Sequence, residues 1–190
     1  MRICHINLAR GYRGGERQAE NMIRELARRG YEQRAIVRKN EPLSQRLRDV
    51  QGLEICAIAK PFFLHAGLVA WADIVQVHEA KGNHLACQGH SLKGTPYVIT
   101  RRIDKPPTAS WLNRRLYRNA AASVAVSNAV RDAMQAKFPD VDIQVLPESS
   151  AHLPSNPEQV AAIRERFAGK FLIGHVGALV QRHKGQLTLL

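Results

Sequence analysis

Acidic residues are scarce in this chain. Sixteen Asp and Glu stand against 28 Lys and Arg in 190 residues, giving a formal net charge of +12. Such an excess favours an anionic partner, and by itself leaves nucleic acid, an acidic membrane surface and phosphorylated substrates open. Cysteine is scarcer still. Cys4, Cys56 and Cys87 are scattered and form no CxxC pair, which argues against a zinc site or a disulfide framework and predicts free thiols, two of them in strands. No apolar run approaches the roughly 20 residues that a membrane span needs. The most apolar stretch, Phe62–Trp71, is too short and contains His65. The first residues, Met1-Arg2-Ile3-Cys4-His5, lack the regions of a signal peptide, so a cytoplasmic protein is expected. A GxGxxG dinucleotide fingerprint is missing, which disfavours a nicotinamide-dependent oxidoreductase.

What is present is an alternation. Residues 2–8, 35–38, 53–59, 74–78, 96–100, 123–126 and 142–146 read as short strands, and 16–29, 44–49, 83–93, 110–121 and 129–138 as helices. In the first helix Ala19, Met22, Ile23, Leu26 and Ala27 recur at three- and four-residue spacing, and Gly30 follows the basic pair Arg28 and Arg29. Ser127 is placed to cap the helix behind it. The pattern predicts an α/β fold, a doubly wound parallel-sheet Rossmann-like domain. A Pro- and Ser-rich stretch at 147–157 divides residues 1–150 from 151–190. In the latter a helix at 158–167, a strand at 171–176 and a helix start at 186–190 read as the opening of a second, truncated Rossmann-like domain.

Ligands in doubly wound sheets bind beyond the carboxyl ends of the strands, so post-strand residues carry the chemistry. Gly14 and Gly15 stand between a strand and a helix start, where bare N–H groups and the helix dipole favour an anion; an unliganded tight turn is the plain alternative. His78 and Glu79 follow an apolar strand and suit orientation of a hydroxyl or proton transfer, against a loop-edge histidine satisfied by backbone. The loop of Arg101, Arg102, Asp104 and Lys105 suits phosphate or carboxylate recognition. Arg114, Arg115 and Arg118 follow on a helix interleaved with Trp111, Leu112, Leu116 and Tyr117. That helix face can be plain solvated surface, or can meet nucleic acid or an anionic bilayer. Lys184, with Arg182 and His183 beside it, opens the last helix and can meet a diphosphate.

In order, these features resemble the retaining glycosyltransferases of family four, which have the GT-B fold. The resemblance runs through Gly14-Gly15-Glu16-Arg17, Val77-His78-Glu79, Thr100-Arg101-Arg102, Val124-Ala125-Val126-Ser127, Val145-Leu146-Pro147 and Val176-Gly177 to Lys184-Gly185. It implies two facing Rossmann-like domains, the first for the acceptor and the second for a nucleotide sugar. It further implies metal-independent transfer with no cofactor, the nucleotide sugar being a substrate. Carried over by position, Gly14, Gly15, Arg182 and Lys184 fall on the donor diphosphate. His78, Glu79 and Arg102 fall at the reaction centre, and Arg13, Arg101 and Asp104 on the acceptor side. Where the family often has Arg, six residues before Lys184, this chain has Ala178; where some members have His it has Arg102. The EX7E motif belongs further on than residue 190, so weak donor binding and poor turnover are expected of this chain alone. The basic surface points to a glycolipid or lipopolysaccharide-like acceptor and to peripheral contact with the inner face of the cell membrane. The competing reading is a non-catalytic basic module for nucleic acid or an acidic partner, which needs the charge and none of the glycine loops.

Overall fold

The computed structural model describes residues 1–148, 155–177 and 186–189. The chain divides into two compact units, Met1–Ser150 and Ala151–Leu190. In the first, seven strands form one sheet: β1 (Arg2–Asn7), β2 (Glu32–Arg38), β3 (Leu53–Ile58), β4 (Ile74–Val77), β5 (Tyr97–Arg101), β6 (Ala122–Ala125) and β7 (Ile143–Val145). Their order is 3-2-1-4-5-6-7, and every neighbouring pair is parallel. The chain winds outward from β1 to β3, then crosses back to continue from β4 on the other side. The direction of winding therefore reverses between β1 and β4, which opens a crevice at their carboxyl ends.

Helices α1 (Gly14–Arg28), α2 (Pro42–Arg46), α3 (Gly82–Lys93), α4 (Trp111–Arg118) and α5 (Asn128–Gln135) connect the strands, with a 3-10 helix at Phe62–Trp71. Both faces of the sheet are covered. On β2, Ile36 joins one buried cluster with Ile6, Val75, Leu85, Leu116 and Phe138. Its neighbours Ala35 and Val37 join the other, with Ile23, Leu43 and Leu47. That is the two-residue period of a strand buried on both sides. The 3-10 helix packs on α3 at Gly89, where a Cβ would fall 1.6 Å from Val69 Cγ2.

Several boundaries differ from the sequence reading. Helix α1 begins at Gly14, so both glycines lie in its first turn, and the Glu16 carboxylate folds back to accept the Arg13 N–H at 2.8 Å. Strand β2 starts at polar Glu32, three residues early, because Arg2–Cys4 of β1 supply its ladder partners. Helix α2 starts at Pro42, whose fixed φ suits a first helical position. Ser127 and Ser110 cap α5 and α4 through Val130 and Asn113 N–H groups.

In the second unit, α6 (Pro157–Arg166) is capped by Asn156 Oδ1, which accepts from Glu158 N–H at 2.9 Å, and α7 spans Gln186–Leu189. The expected strand at 171–176 is not one. Phe171, Ile173 and Val176 stand exposed, and no ladder partner pairs with them among the described residues. A strand exists only through such pairing, whatever its apolar content.

Candidate active site

Beyond the β1–β4 crevice the post-strand residues converge. His78 directly follows β4 and is 3% exposed. Its Nε2 lies 3.1 Å from Nδ1 of His5 on β1, and His5 Nε2 lies 2.9 Å from Oε1 of Gln33 on β2. Gln33 Nε2 donates to the Ile23 carbonyl at 3.1 Å, which fixes its amide orientation and leaves Oε1 as the acceptor. The tautomers then follow in sequence. His5 carries its proton on Nε2, His78 donates from Nε2 to His5 Nδ1, and His78 Nδ1 is left as an acceptor. Arg102 Nη2 stands 3.5 Å from that atom. Burial pushes the His5 pKa down to about 4. Burial, followed by the neighbouring His5 and Arg102, pushes His78 well below its ordinary value. Both rings are neutral at pH 7.

Arg102, just past β5, is held by His78 from another side: Nη1 donates to the His78 carbonyl at 2.6 Å, and Nε pairs with Glu148 beyond β7. Its stem passes the first turn of α1, since a Cβ on Gly15 would meet Arg102 Cδ at 3.5 Å. The first internal bond of α1 runs from Arg17 N–H to the Arg13 carbonyl, so the N–H groups of Gly14 and Gly15 have no carbonyl one turn back. Arg102, Gly15, His78 and Glu148 thus form one constellation. Arg102 and Glu148 also line a cleft of about 290 Å³ with Thr100, Val124, Leu146 and the α1 residues Gln18, Met22 and Leu26.

The remaining sequence candidates lie elsewhere. Glu79 is spent on backbone: Oε1 accepts from Leu8 at 3.1 Å and Gly82 at 2.8 Å, and Oε2 from Lys81 at 2.7 Å. Burial raises its pKa against the opposing pull of those three N–H groups. Arg101 points to the opposite sheet face from Arg102. It is 8% exposed, donates to the Lys105 carbonyl, and burial lowers its pKa. Arg13 and Asp104 are exposed. Of the α4 arginines, Arg114 and Arg118 pair with Asp140 and Arg115 lies over the Trp111 ring. Arg182 and Lys184 lie outside the described residues. His5 and Gln33 were not singled out from sequence, being polar residues inside strands with no motif around them. Glu148 falls among the post-strand residues 147–150 and also in the stretch read as linker, with no role of its own. Among the described residues no group of His, Cys, Asp and Glu could hold a metal ion.

A doubly wound parallel sheet with a glycine-opened helix and a braced arginine at its switch point defines a Rossmann-like domain. The family is the glycosyl transferase 4-like domain, whose model matches residues 13–148, and the chain belongs to it. No curated protein matches the chain by sequence. Among solved structures it is similar to Alr3699/HepE of Anabaena in complex with UDP-glucose, at 14% identity and a TM-score of 0.73, covering 100% of this chain and 56% of that one. It is also similar to the lipopolysaccharide outer core galactosyltransferase WaaB (14%, TM-score 0.56, 80% and 46% covered). An alpha-glucosyltransferase in complex with UDP and a 13-mer DNA gives 16%, 0.52, 79% and 43%. The chain spans about half the length of these proteins. Their shared architecture makes its fold that of the N-terminal half of a GT-B glycosyltransferase.

Proposed function

We propose that this chain is the acceptor-side domain of a retaining, metal-independent glycosyltransferase that moves a sugar from a nucleotide-sugar donor to a glycolipid or lipopolysaccharide-like acceptor. The observation that carries the reading is the Arg102 constellation at the switch point of a family-matched domain. Arg102 is the group that meets substrate. His78 and Glu148 hold its guanidinium, and Glu79 holds the turn between β4 and α3. The first turn of α1, with Gly14 and Gly15, offers N–H groups and a positive dipole end to the donor diphosphate. The family resemblance assigns Arg182 and Lys184 to the donor diphosphate and Arg13 and Asp104 to the acceptor side, while Arg101, buried and donating to the Lys105 carbonyl, holds the loop that carries Asp104. HepE was solved with UDP-glucose and WaaB is a lipopolysaccharide galactosyltransferase, which supports both substrate classes. Since relatives run to about twice this length, donor binding draws on a second domain and the 190 residues alone turn over poorly. The basic surface brings the domain to the inner face of the cell membrane from the cytoplasmic side.

The test is UDP release from UDP-glucose in the presence of a lipopolysaccharide core acceptor. Transfer is expected once the chain is extended through a second domain, near background with residues 1–190 alone, and at least about 10-fold lower with Arg102→Ala. Nanomolar, steeply salt-dependent binding of DNA or RNA with no response to nucleotide sugars would overturn the reading in favour of a basic binding module.

A further inference from the structure

A second cleft, of about 500 Å³, shares no lining residue with the one beside Arg102. It is lined by Arg10 after β1, Arg38 at the end of β2, Lys60 after β3, Phe62 opening the 3-10 helix, and Lys81 and His84 at the start of α3. All six therefore sit at or just beyond the carboxyl ends of β1 to β4, the rim where sheets of this winding take ligands. Two arginines, two lysines and a histidine face one concavity with no carboxylate in its wall. Of the two nearby carboxylates, Glu41 pairs with Arg38 of the cleft itself and Glu79 is engaged with backbone. Glu41 Oε2 accepts the Gly11 N–H at 2.8 Å and its Oε1 lies 3.7 Å from Arg38, while Glu79 is taken up by three backbone N–H groups. Among the described residues Arg10, Lys60, Lys81 and His84 enter no salt bridge with a carboxylate.

Like charges gathered in a concavity repel one another, and a solvated surface disperses them instead. The cluster is also held in shape. The loop that carries Arg10 is tied down by Gly11 to Glu41, by Ala9 N–H to Asn7 Oδ1 at 3.2 Å and by Tyr12 Oη to Glu20 at 2.7 Å. Arg38 is only 14% exposed and lies 5.7 Å from the Phe62 ring centroid. Because Glu79 already accepts the first N–H groups of α3, the attraction for an anion comes from side chains and not from that helix end. A fork-shaped donor, two lysine point charges and a half-buried ring fit a phosphoryl group carried on a sugar, with the volume for both.

We propose that this cleft binds the phosphoryl group of a phosphorylated saccharide. That the saccharide is the acceptor rests on the transferase reading; the anion site itself does not. Titration of residues 1–190 with glucose 1-phosphate, glucose and inorganic phosphate tests it. Glucose 1-phosphate is expected to bind at least about 10-fold more tightly than either of the others, and to weaken as salt rises. The Arg10→Ala/Lys60→Ala/Lys81→Ala variant should lose at least about 10-fold with its melting temperature unchanged, and the charge control Arg131→Ala, which lines neither cleft, should lose nothing. Equal binding by the triple variant, or an equal loss in Arg131→Ala, overturns the proposal. So does phosphate matching glucose 1-phosphate, which removes the saccharide from the site. The two readings fail separately. Absent transfer with intact cleft-dependent binding removes the acceptor role and leaves the anion site. Transfer to a phosphorylated acceptor with an unchanged KM in the triple variant removes the cleft and leaves the transferase.

Discussion

At the scale of single residues, the His5–His78–Arg102 chain makes stability depend on pH. The buried His5 ring has its pKa lowered to about 4 from 6.5, so between those values the unfolded chain binds a proton that the folded one refuses. The contribution is complete above pH 6.5 and is lost as pH falls toward 4, on the order of 3 kcal/mol for His5 alone. His78, shifted in the same direction, steepens the loss. Urea midpoints should therefore fall steadily from pH 7 to pH 4.5, and His5→Gln should flatten the slope; a midpoint independent of pH would sink this account. Glu79 makes a different prediction. Removing its carboxylate with Glu79→Ala strands the N–H groups of Leu8 and Lys81, while Gly82 N–H keeps the Glu79 carbonyl at 3.1 Å, and should cost about 1–3 kcal/mol by urea unfolding. A group serving chemistry alone would leave stability untouched.

At the scale of elements, the approach of α3 to the 3-10 helix depends on Gly89. Its added Cβ would overlap Val69 Cγ2 at 1.6 Å, and Val69 is fully buried, so the side chain has nowhere to turn. Gly89→Ala is expected to destabilise by about 2 kcal/mol or more. Val69→Ala in the same chain should restore part of that loss although it destabilises alone, a coupling that a double-mutant cycle measures. Purely additive losses would refute the contact. Helix α1 behaves oppositely. Gly15 has only ordinary contact distance to Arg102 Cδ and no positive φ, so Gly15→Ala should fold normally. A large Tm loss would show that the site needs glycine there for packing.

At the scale of the whole molecule, the charge is unevenly used. Arg24, Arg46 and Glu20 are bound up with one another, and Arg114 and Arg118 share Asp140. Arg10, Lys60 and Lys81, by contrast, gather at the carboxyl rim of the sheet. Trp111, 72% exposed, and Leu112 add apolar surface beside Arg115. No helix among the described residues is long and apolar enough to cross a membrane. If peripheral binding follows from this charge, vesicles rich in phosphatidylglycerol should sediment the chain at about 50 mM salt and release it at about 500 mM. Failure to sediment even at the lower salt would remove membrane contact from the proposal.

The order of elements was written in the chain, because apolar periodicity and glycine punctuation are local properties. They placed His78, Glu79, Arg102, Gly14 and Gly15 on post-strand turns, and the structure draws His78, Arg102 and Gly15 together. Partnership was not legible. Gln33 looks like a surface residue of an edge segment until β1 supplies its ladder and His5 its hydrogen-bond partner. Glu148 reads as linker until β7 delivers it to Arg102. Arg101 and Arg102 look equivalent in sequence, yet the two-residue period of a strand sends one into the protein and the other to the cleft. The apolar run at 171–176 fails as a strand for the same reason, since pairing depends on a partner. Local pattern placed the seven strands and five α-helices of the first unit and the turns at the ligand rim, though not the 3-10 helix at Phe62–Trp71. Tertiary structure alone decided which side chains meet there, because hydrogen bonds, burial and electrostatic fields act through space between residues up to 73 positions apart.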